Sequence, residues 1–372
     1  MHRPRVLVVD DSVVVRRLVS KALEAEGEVE VVGVAADGAI ALVNIERLHP
    51  DVVILDVAMP VMDGLTALAE IRQRWPGLPV IMFSTLTSRG AEVTLDALAL
   101  GASDYVLKPS STDADSAMAE IRDQLLPRIA ALLPQAREAR ERTTRAGERP
   151  PRPSGTVRRP AGPPERIDVI AIGVSTGGPT ALAQLIPSLP GDLPVPVAIV
   201  QHMPPIFTRL FAQRLDRASA LTVVEGQPGM GLEPGLVVVA PGDSHLLVAD
   251  GRRGPVVATN QEPRQNGCRP AVDVLFRSAA AVFGDRVLAC VLTGMGQDGL
   301  RGSERLRAAG AEIVVQDDAT SVVWGMPGAV ATAGLADRVL PLPQIAADLT
   351  DALRRMRDRT PPSSRIDAGA AP

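Results

Sequence analysis

Ile170-Ala171-Ile172-Gly173-Val174-Ser175-Thr176-Gly177-Gly178-Pro179-Thr180-Ala181-Leu182-Ala183-Gln184-Leu185-Ile186 reads as a strand, a glycine-rich turn and a helix. The apolar run before the turn shows no polar alternation, as expected of a parallel strand covered on both faces. Similar runs follow it: VPVAIVQH, VVVAP, VLACVLTG and AEIVVQD. More precede it, from RVLVVD through VEVVGVA, DVVILDV and PVIMFS to DYVLK. Helical stretches such as VVVRRLVSKALEAEG and LTALAEIRQRW lie between the strands. The alternation predicts an α/β chain with two open, doubly wound parallel-sheet domains. In such sheets, functional sites gather at the carboxyl ends of the strands.

Between the two sets of strands the composition changes. From Pro134 to Arg166 the chain is dense in Arg, Pro and Gly and almost free of large apolar residues. It cannot bury enough surface to offset its ordering entropy, so it reads as a flexible linker. The alternative is an arginine patch for an acidic partner. The predicted division is residues 1–125, a linker over 126–166, a second domain over 167–358, and a disordered tail over 359–372. The chain of 372 residues has a net charge of -4 and 2% aromatic residues, which argues against nucleic-acid binding. Its 2 cysteines, Cys268 and Cys290, have neither zinc-knuckle nor redox-pair spacing. No apolar run is long enough for a signal-peptide core or a membrane span, so a cytoplasmic protein without membrane insertion is expected.

In the first domain, Asp10 and Asp11 follow the first strand and Asp56 follows the third. Three carboxylates on one sheet edge repel each other unless a cation sits among them, and an oxygen-rich cluster suits Mg²⁺. A carboxylate can also act as nucleophile toward phosphorus. Lys108 is placed to meet a phosphoryl charge, and Ser84 to donate a hydrogen bond to it. The plainer reading makes Asp10 and Asp11 helix caps and Lys108 a surface lysine. VVDDS, LDVAMPVMDG and GASDYVLKP together resemble the receiver domain of two-component response regulators, over residues 1 to about 125. The resemblance implies a flavodoxin-like fold with Asp56 as phosphoacceptor. It implies Mg²⁺ bound by Asp10, Asp11, Asp56 and the Ala58 carbonyl, and Ser84 with Tyr105 as the switch pair beside Lys108.

In the second domain, Gly173-Val174-Ser175-Thr176-Gly177 fits G-x-S-x-G, a tight turn that exposes a serine at a helix N-terminus. Backbone N–H groups there can hold an oxyanion; a phosphate cradle or a structural turn is the alternative. A serine nucleophile needs a base. Of 4 histidines, only His202 and His245 lie in this domain. His202 ends a strand on the same edge as Ser175 and is the expected base. His245 begins a strand and is expected to be structural. Asp298, in the loop after VLACVLTG, is placed to orient the imidazole. The order Ser, His, Asp is not that of α/β-hydrolases.

GVSTGGPTAL, QHMPPIFTRLFAQRL, APGDSHL, LTGMGQDG and VVWGMPGAV resemble the CheB family, chemotaxis response regulators that are protein-glutamate methylesterases and glutamine deamidases. The resemblance implies a Rossmann-like serine esterase with the triad Ser175, His202 and Asp298. Thr176 and Met295 match positions around the oxyanion and active-site loop. It further implies a phospho-histidine kinase as phosphoryl donor, methylated chemoreceptor cytoplasmic domains as substrate, and no cofactor for ester hydrolysis. A receiver-controlled binding module with Ser175 as a turn residue is the competing reading. A DNA-binding regulator is disfavoured, because no basic helix-turn-helix follows the linker.

Overall fold

The first domain winds β1 (Arg5–Val9), α1 (Val13–Glu24), β2 (Glu30–Ala35), α2 (Gly38–Leu48), β3 (Val52–Asp56), α3 (Gly64–Arg74), β4 (Val80–Ser84), α4 (Ser88–Ala99), β5 (Asp104–Leu107) and α5 (Ala114–Leu132). This is a computed structural model, and it describes residues 3–111, 113–133 and 166–357. The strands pair in parallel in the order β2-β1-β3-β4-β5. Because side chains alternate along a strand, the continuous apolar runs feed two layers. Val6, Val8, Ile54 and Phe83 pack with Val19 and Leu23 of α1 and Ile121 and Leu125 of α5. Leu7, Val53, Leu55 and Met82 pack with Ile45, Leu68 and Leu95 on the other face. Each such side chain contributes about 1.5–3 kcal/mol by leaving water.

Helix α5 runs past residue 125, where the sequence reading ends the first domain. It continues to Leu132, because Ile121, Leu125 and Ile129 form one buried stripe at helical spacing. The expected linker between 134 and 165 and the expected tail over 359–372 lie outside the described residues.

The second domain contains β6 (Val169–Val174), α6 (Gly178–Leu185), β7 (Val197–Gln201), α7 (Phe207–Ala218), β8 (Thr222–Glu225), β9 (Leu236–Val239), β10 (His245–Gly251), β11 (Gly254–Asn260), α8 (Val272–Phe283), β12 (Val287–Val291), α9 (Leu300–Ala309), β13 (Glu312–Gln316), α10 (Met326–Thr332), β14 (Arg338–Leu340) and α11 (Leu342–Arg357). Its seven-stranded parallel sheet has the order β14-β13-β12-β6-β7-β9-β8. The order reverses at β6, which lies between β12 and β7, so their three carboxyl ends open side by side. The short edge strands β8 and β14 and the antiparallel β10–β11 hairpin add to the predicted parallel core. Among the described residues, no helix is long and apolar enough to cross a membrane.

The two domains meet where α4 packs on α6 and α7. Their apolar layers merge there, with Leu95 and Leu98 in the same buried cluster as Phe207 and Phe211. Thr180 donates to the Leu98 carbonyl at 3.0 Å, and Arg214 pairs with Asp96 at 2.6 Å.

Candidate active site

Strand β6 ends at Val174, and the chain turns at once through Ser175 into α6. Gly177 has φ 77°, a left-handed conformation that glycine adopts without steric cost. A β-carbon on Gly178 would stand 2.0 Å from Gln201 Oε1, so the turn can press onto the end of β7 only with glycine there. Gln201 in turn donates to the Ser175 carbonyl at 3.1 Å. Ser175 N donates to Thr293 O beyond β12 at 3.0 Å, and His202 N donates to Val174 O at 3.3 Å. The sheet ladder thus extends past the strands and fixes the three loops against each other.

These loops bring the predicted residues to one pocket of about 520 Å³, lined by Ser175, Thr176, His202 and Met295. His202 Nε2 lies 2.8 Å from Asp298 Oδ2, and His202 Nδ1 lies 3.5 Å from Cys268 Sγ. The Ser175 hydroxyl lines the pocket but makes no hydrogen bond to His202 among the described residues. Asp298 is buried behind the histidine. It accepts from Val272 N at 2.7 Å and Asp273 N at 3.0 Å, the first amides of α8, where the helix dipole favours a negative charge. It also accepts from Asn266 Nδ2 at 2.9 Å and Gly299 N at 3.0 Å. Burial alone would raise its pKa, but His202 and the backbone donors hold it below the ordinary carboxylate range. For His202, burial works downward, yet the hydrogen bonds to Asp298 and Cys268 push the pKa up to about 10. The pair is therefore built to hold imidazolium against carboxylate.

His245 stands apart, fully buried at the start of β10. It bridges Ala271 N and the Pro263 carbonyl, each at 3.2 Å. Thr176 follows Ser175 in the turn, but its hydroxyl points across to the first domain and donates to Asp104 Oδ2 at 2.9 Å. Asp104 also takes Arg128 Nε at 3.1 Å, and both residues line the pocket with Tyr105 and Gln124. The first domain therefore caps the pocket. Nothing in the run DYVLK marks Asp104 as a partner of Thr176, and the sequence reading missed it. It missed Asn266, Asp273 and Cys268 as well; only the Asn-Gly dipeptide at 266 signalled a turn.

At the carboxyl edge of the first sheet, Asp10, Asp11 and Asp56 place carboxylate oxygens within 4.8 Å of one another. Lys108 Nζ bridges Asp10 at 2.7 Å and Asp56 at 2.9 Å. Burial raises the Asp56 pKa, opposed by Lys108 and reinforced by the charge of Asp10. Burial would lower the Lys108 pKa, but the two carboxylates raise it. The buried Asp10 Oδ2 has Lys108 Nζ, at 2.7 Å, as its one partner among the described residues. Three hard oxygen donors with one so exposed to a cation fit a divalent ion that keeps much of its water. Ala58 is exposed on the loop after β3. The buried Ser84 hydroxyl donates to Gly90 O at 3.3 Å. Tyr105 is turned outward: its ring stacks on Phe207 of the second domain, with centroids 4.9 Å apart and planes at 9°. The expected switch residue thus forms part of the contact between the domains.

Comparison with known proteins assigns residues 170–349 to the CheB methylesterase family and residues 6–120 to the response regulator receiver family. A protein-glutamate methylesterase/protein-glutamine glutaminase of Nocardioides sp. is 50% identical over 372 residues, covering 98% of each chain. One from Caulobacter vibrioides is 49% identical over 92% of this chain and 96% of its own. The Thermotoga maritima CheB methylesterase catalytic domain, a crystal structure, is 40% identical; it covers 50% of this chain and 98% of its own, with a TM-score of 0.49.

Proposed function

Since this chain belongs to the CheB methylesterase family, we propose that Ser175, His202 and Asp298 are the catalytic triad of a receiver-controlled protein-glutamate methylesterase and protein-glutamine glutaminase. The observation that carries the reading is the His202–Asp298 contact at 2.8 Å beside Ser175, on three adjacent strand ends. Ser175 Oγ attacks the γ-carbonyl carbon of a glutamyl methyl ester while a ring nitrogen of His202 takes its proton. Asp298, on the other nitrogen, stabilises the imidazolium. Backbone N–H groups of the loops carrying Thr176 and Met295 hold the oxyanion. The intermediate collapses with proton return to the methoxy oxygen, releasing methanol. Water then cleaves the acyl-enzyme by the same base, leaving glutamate. A glutamine side chain passes through the same acyl-enzyme and releases ammonia.

Asp56 is the phosphoacceptor in this reading, and a histidine kinase is the donor. Mg²⁺, held by Asp10, Asp11, Asp56 and the Ala58 carbonyl, would offset the charge of the phosphoryl oxygens. Lys108 meets the same charge. The substrate is the methylated cytoplasmic domain of a chemoreceptor, so the enzyme acts in the cytoplasm and serves chemotaxis adaptation. The unphosphorylated receiver restrains the enzyme by covering the pocket through Asp104 and Tyr105. Phosphorylation draws Ser84 toward the phosphoryl group, lets Tyr105 leave Phe207 and shifts the population toward an open state. Methanol release from methylated receptor fragments tests the triad. Ser175→Ala should lower turnover by ~10⁴–10⁶-fold with little change in stability. Near-normal turnover would leave Ser175 a turn residue and the protein a binding module.

A further inference from the structure

Asn266 and Asp273 lie behind the triad, and we propose that they are positioning residues that hold Asp298 in register with His202. The proposal rests on the triad reading above. Gln265 and Cys268 exchange backbone hydrogen bonds of 3.0 and 2.8 Å across a two-residue turn. Asn266 has φ 51° and Gly267 has φ 75°, the paired left-handed conformation of a type I′ turn. Asparagine tolerates that conformation better than most side chains. The turn is anchored to α8 by Arg277, which donates to Gln265 Oε1 at 2.6 Å.

The turn aims one amide at two acids. Asn266 Nδ2 lies 2.9 Å from Asp298 Oδ1 and 2.9 Å from Asp273 Oδ2, so its two hydrogens serve two buried carboxylates. Flipping the amide would set its oxygen against both of them. Asp273 Oδ1 accepts from Gly299 N at 3.1 Å and Gly302 N at 2.7 Å, tying the start of α8 to the start of α9. Asp298 sits in the loop between those anchors. Without the amide, two like charges would face each other in a buried site, and one would move or take a proton. The charged groups around Asp298 are His202, Asp273 and, through Asp273, Arg277. The thiol of Cys268, from the same turn, meets His202 on its other nitrogen.

The test uses the full chain activated by a small phosphodonor with Mg²⁺, and follows methanol release from methylated receptor fragments against pH. Asn266→Gly keeps the left-handed turn and removes the amide. Asn266→Asp keeps the shape and replaces both donors with a carboxylate. Both should lower kcat by ~10–100-fold, the usual cost of losing a group that orients a site ligand, and leave KM unchanged. The acid limb of kcat/KM should move in both variants, because without the amide Asp298 is either displaced from the imidazole or shares a proton with its neighbouring carboxylate, and either change alters the charge that His202 faces. An unmoved acid limb in both variants overturns the proposal, whether kcat is normal or uniformly reduced. Ser175→Ala in the same assay separates the two readings: if it stays active, the triad is wrong, whereas if it is dead and the Asn266 variants keep the parent profile, only the positioning role fails. Melting curves accompany each variant, and the isosteric Asn266→Asp carries the test if the glycine variant is unstable.

Discussion

Replacing Asp104 by alanine should switch the enzyme on without phosphorylation. Asp104 Oδ2 accepts the Thr176 hydroxyl at 2.9 Å across the domain boundary, one residue from Ser175. A hydrogen bond to a charged group contributes about 1.5–3 kcal/mol net. The Tyr105–Phe207 stack adds roughly 0.5–1.5 kcal/mol, and the half-exposed Arg214–Asp96 pair about 0–1 kcal/mol. Asp104 is therefore the largest single polar contributor to closure. If its whole effect falls on the closed state, the open fraction rises by roughly 10- to 150-fold, at 1.4 kcal/mol per tenfold. The ceiling is the rate of the catalytic domain alone, from residue 166 onward. Of the other partners of Asp104, Arg128 is partly exposed and returns to water, and the Tyr105 amide bonded to Oδ1 at 2.8 Å is a local contact, so the receiver should keep its fold. The assay is methanol release by the full chain without phosphodonor, compared with the truncated domain. Phosphodonor should add less to Asp104→Ala than to the parent, since part of its work is already done. Asp104→Asn, which retains an acceptor, should fall between them. Parental basal activity in Asp104→Ala, together with normal labelling of Asp56, would refute the cap. So would a truncated domain no faster than the parent, which would mean that the receiver acts by positive stimulation.

Other outcomes follow from the same geometry. His202→Ala should be about as damaging as Ser175→Ala, and the double variant barely worse, because the groups act as one unit; additive losses in single-turnover assays would contradict this. Asp56→Asn should abolish acyl-phosphate formation and weaken Mg²⁺ binding, with basal ester hydrolysis kept; labelling at the normal rate and stoichiometry would exclude Asp56 as acceptor. The raised His202 pKa means that more of the base is protonated at neutral pH, so kcat/KM should climb through an acid limb above the ordinary histidine value of about 6.5. The same shift stabilises the fold fully below about pH 6.5, and that contribution is lost as pH rises through about 10. Denaturation midpoints that do not respond over this range in the parent, relative to Asp298→Asn, would count against the pairing.

The strands were readable because parallel strands covered on both faces are continuous apolar runs, and those runs recur as β1, β3, β4, β6, β7 and β12. Ser175, His202 and Asp298 were readable for a related reason: each follows such a run, and strand ends converge at a switch in sheet order. Strands β8 and β14 were not, since short edge strands with partly exposed residues carry little periodic signal. Helix α5 runs through Pro127, a residue that ordinarily interrupts a helix, because the buried Ile121–Leu125–Ile129 stripe holds both sides of it to the sheet. Contacts between distant loops were the least visible. Asp104 lies 72 positions from Thr176 and Asn266 lies 32 from Asp298, so only the folded chain shows that they touch.

The cap and the enzyme it covers belong to one polypeptide. Closing is therefore a unimolecular event, governed by an effective concentration that for tethered partners reaches the millimolar range. Under that condition, the apolar seam of α4 on α6 and α7, the polar contacts and the ring stack together need only millimolar intrinsic affinity to keep an appreciable share of molecules shut. A joint no tighter than that is also one that a single phosphoryl group can undo. The arrangement makes inhibition independent of how much protein the cell holds, since dilution does not separate the parts. It also means that a receiver supplied as a separate molecule at micromolar concentration would leave the esterase almost entirely open.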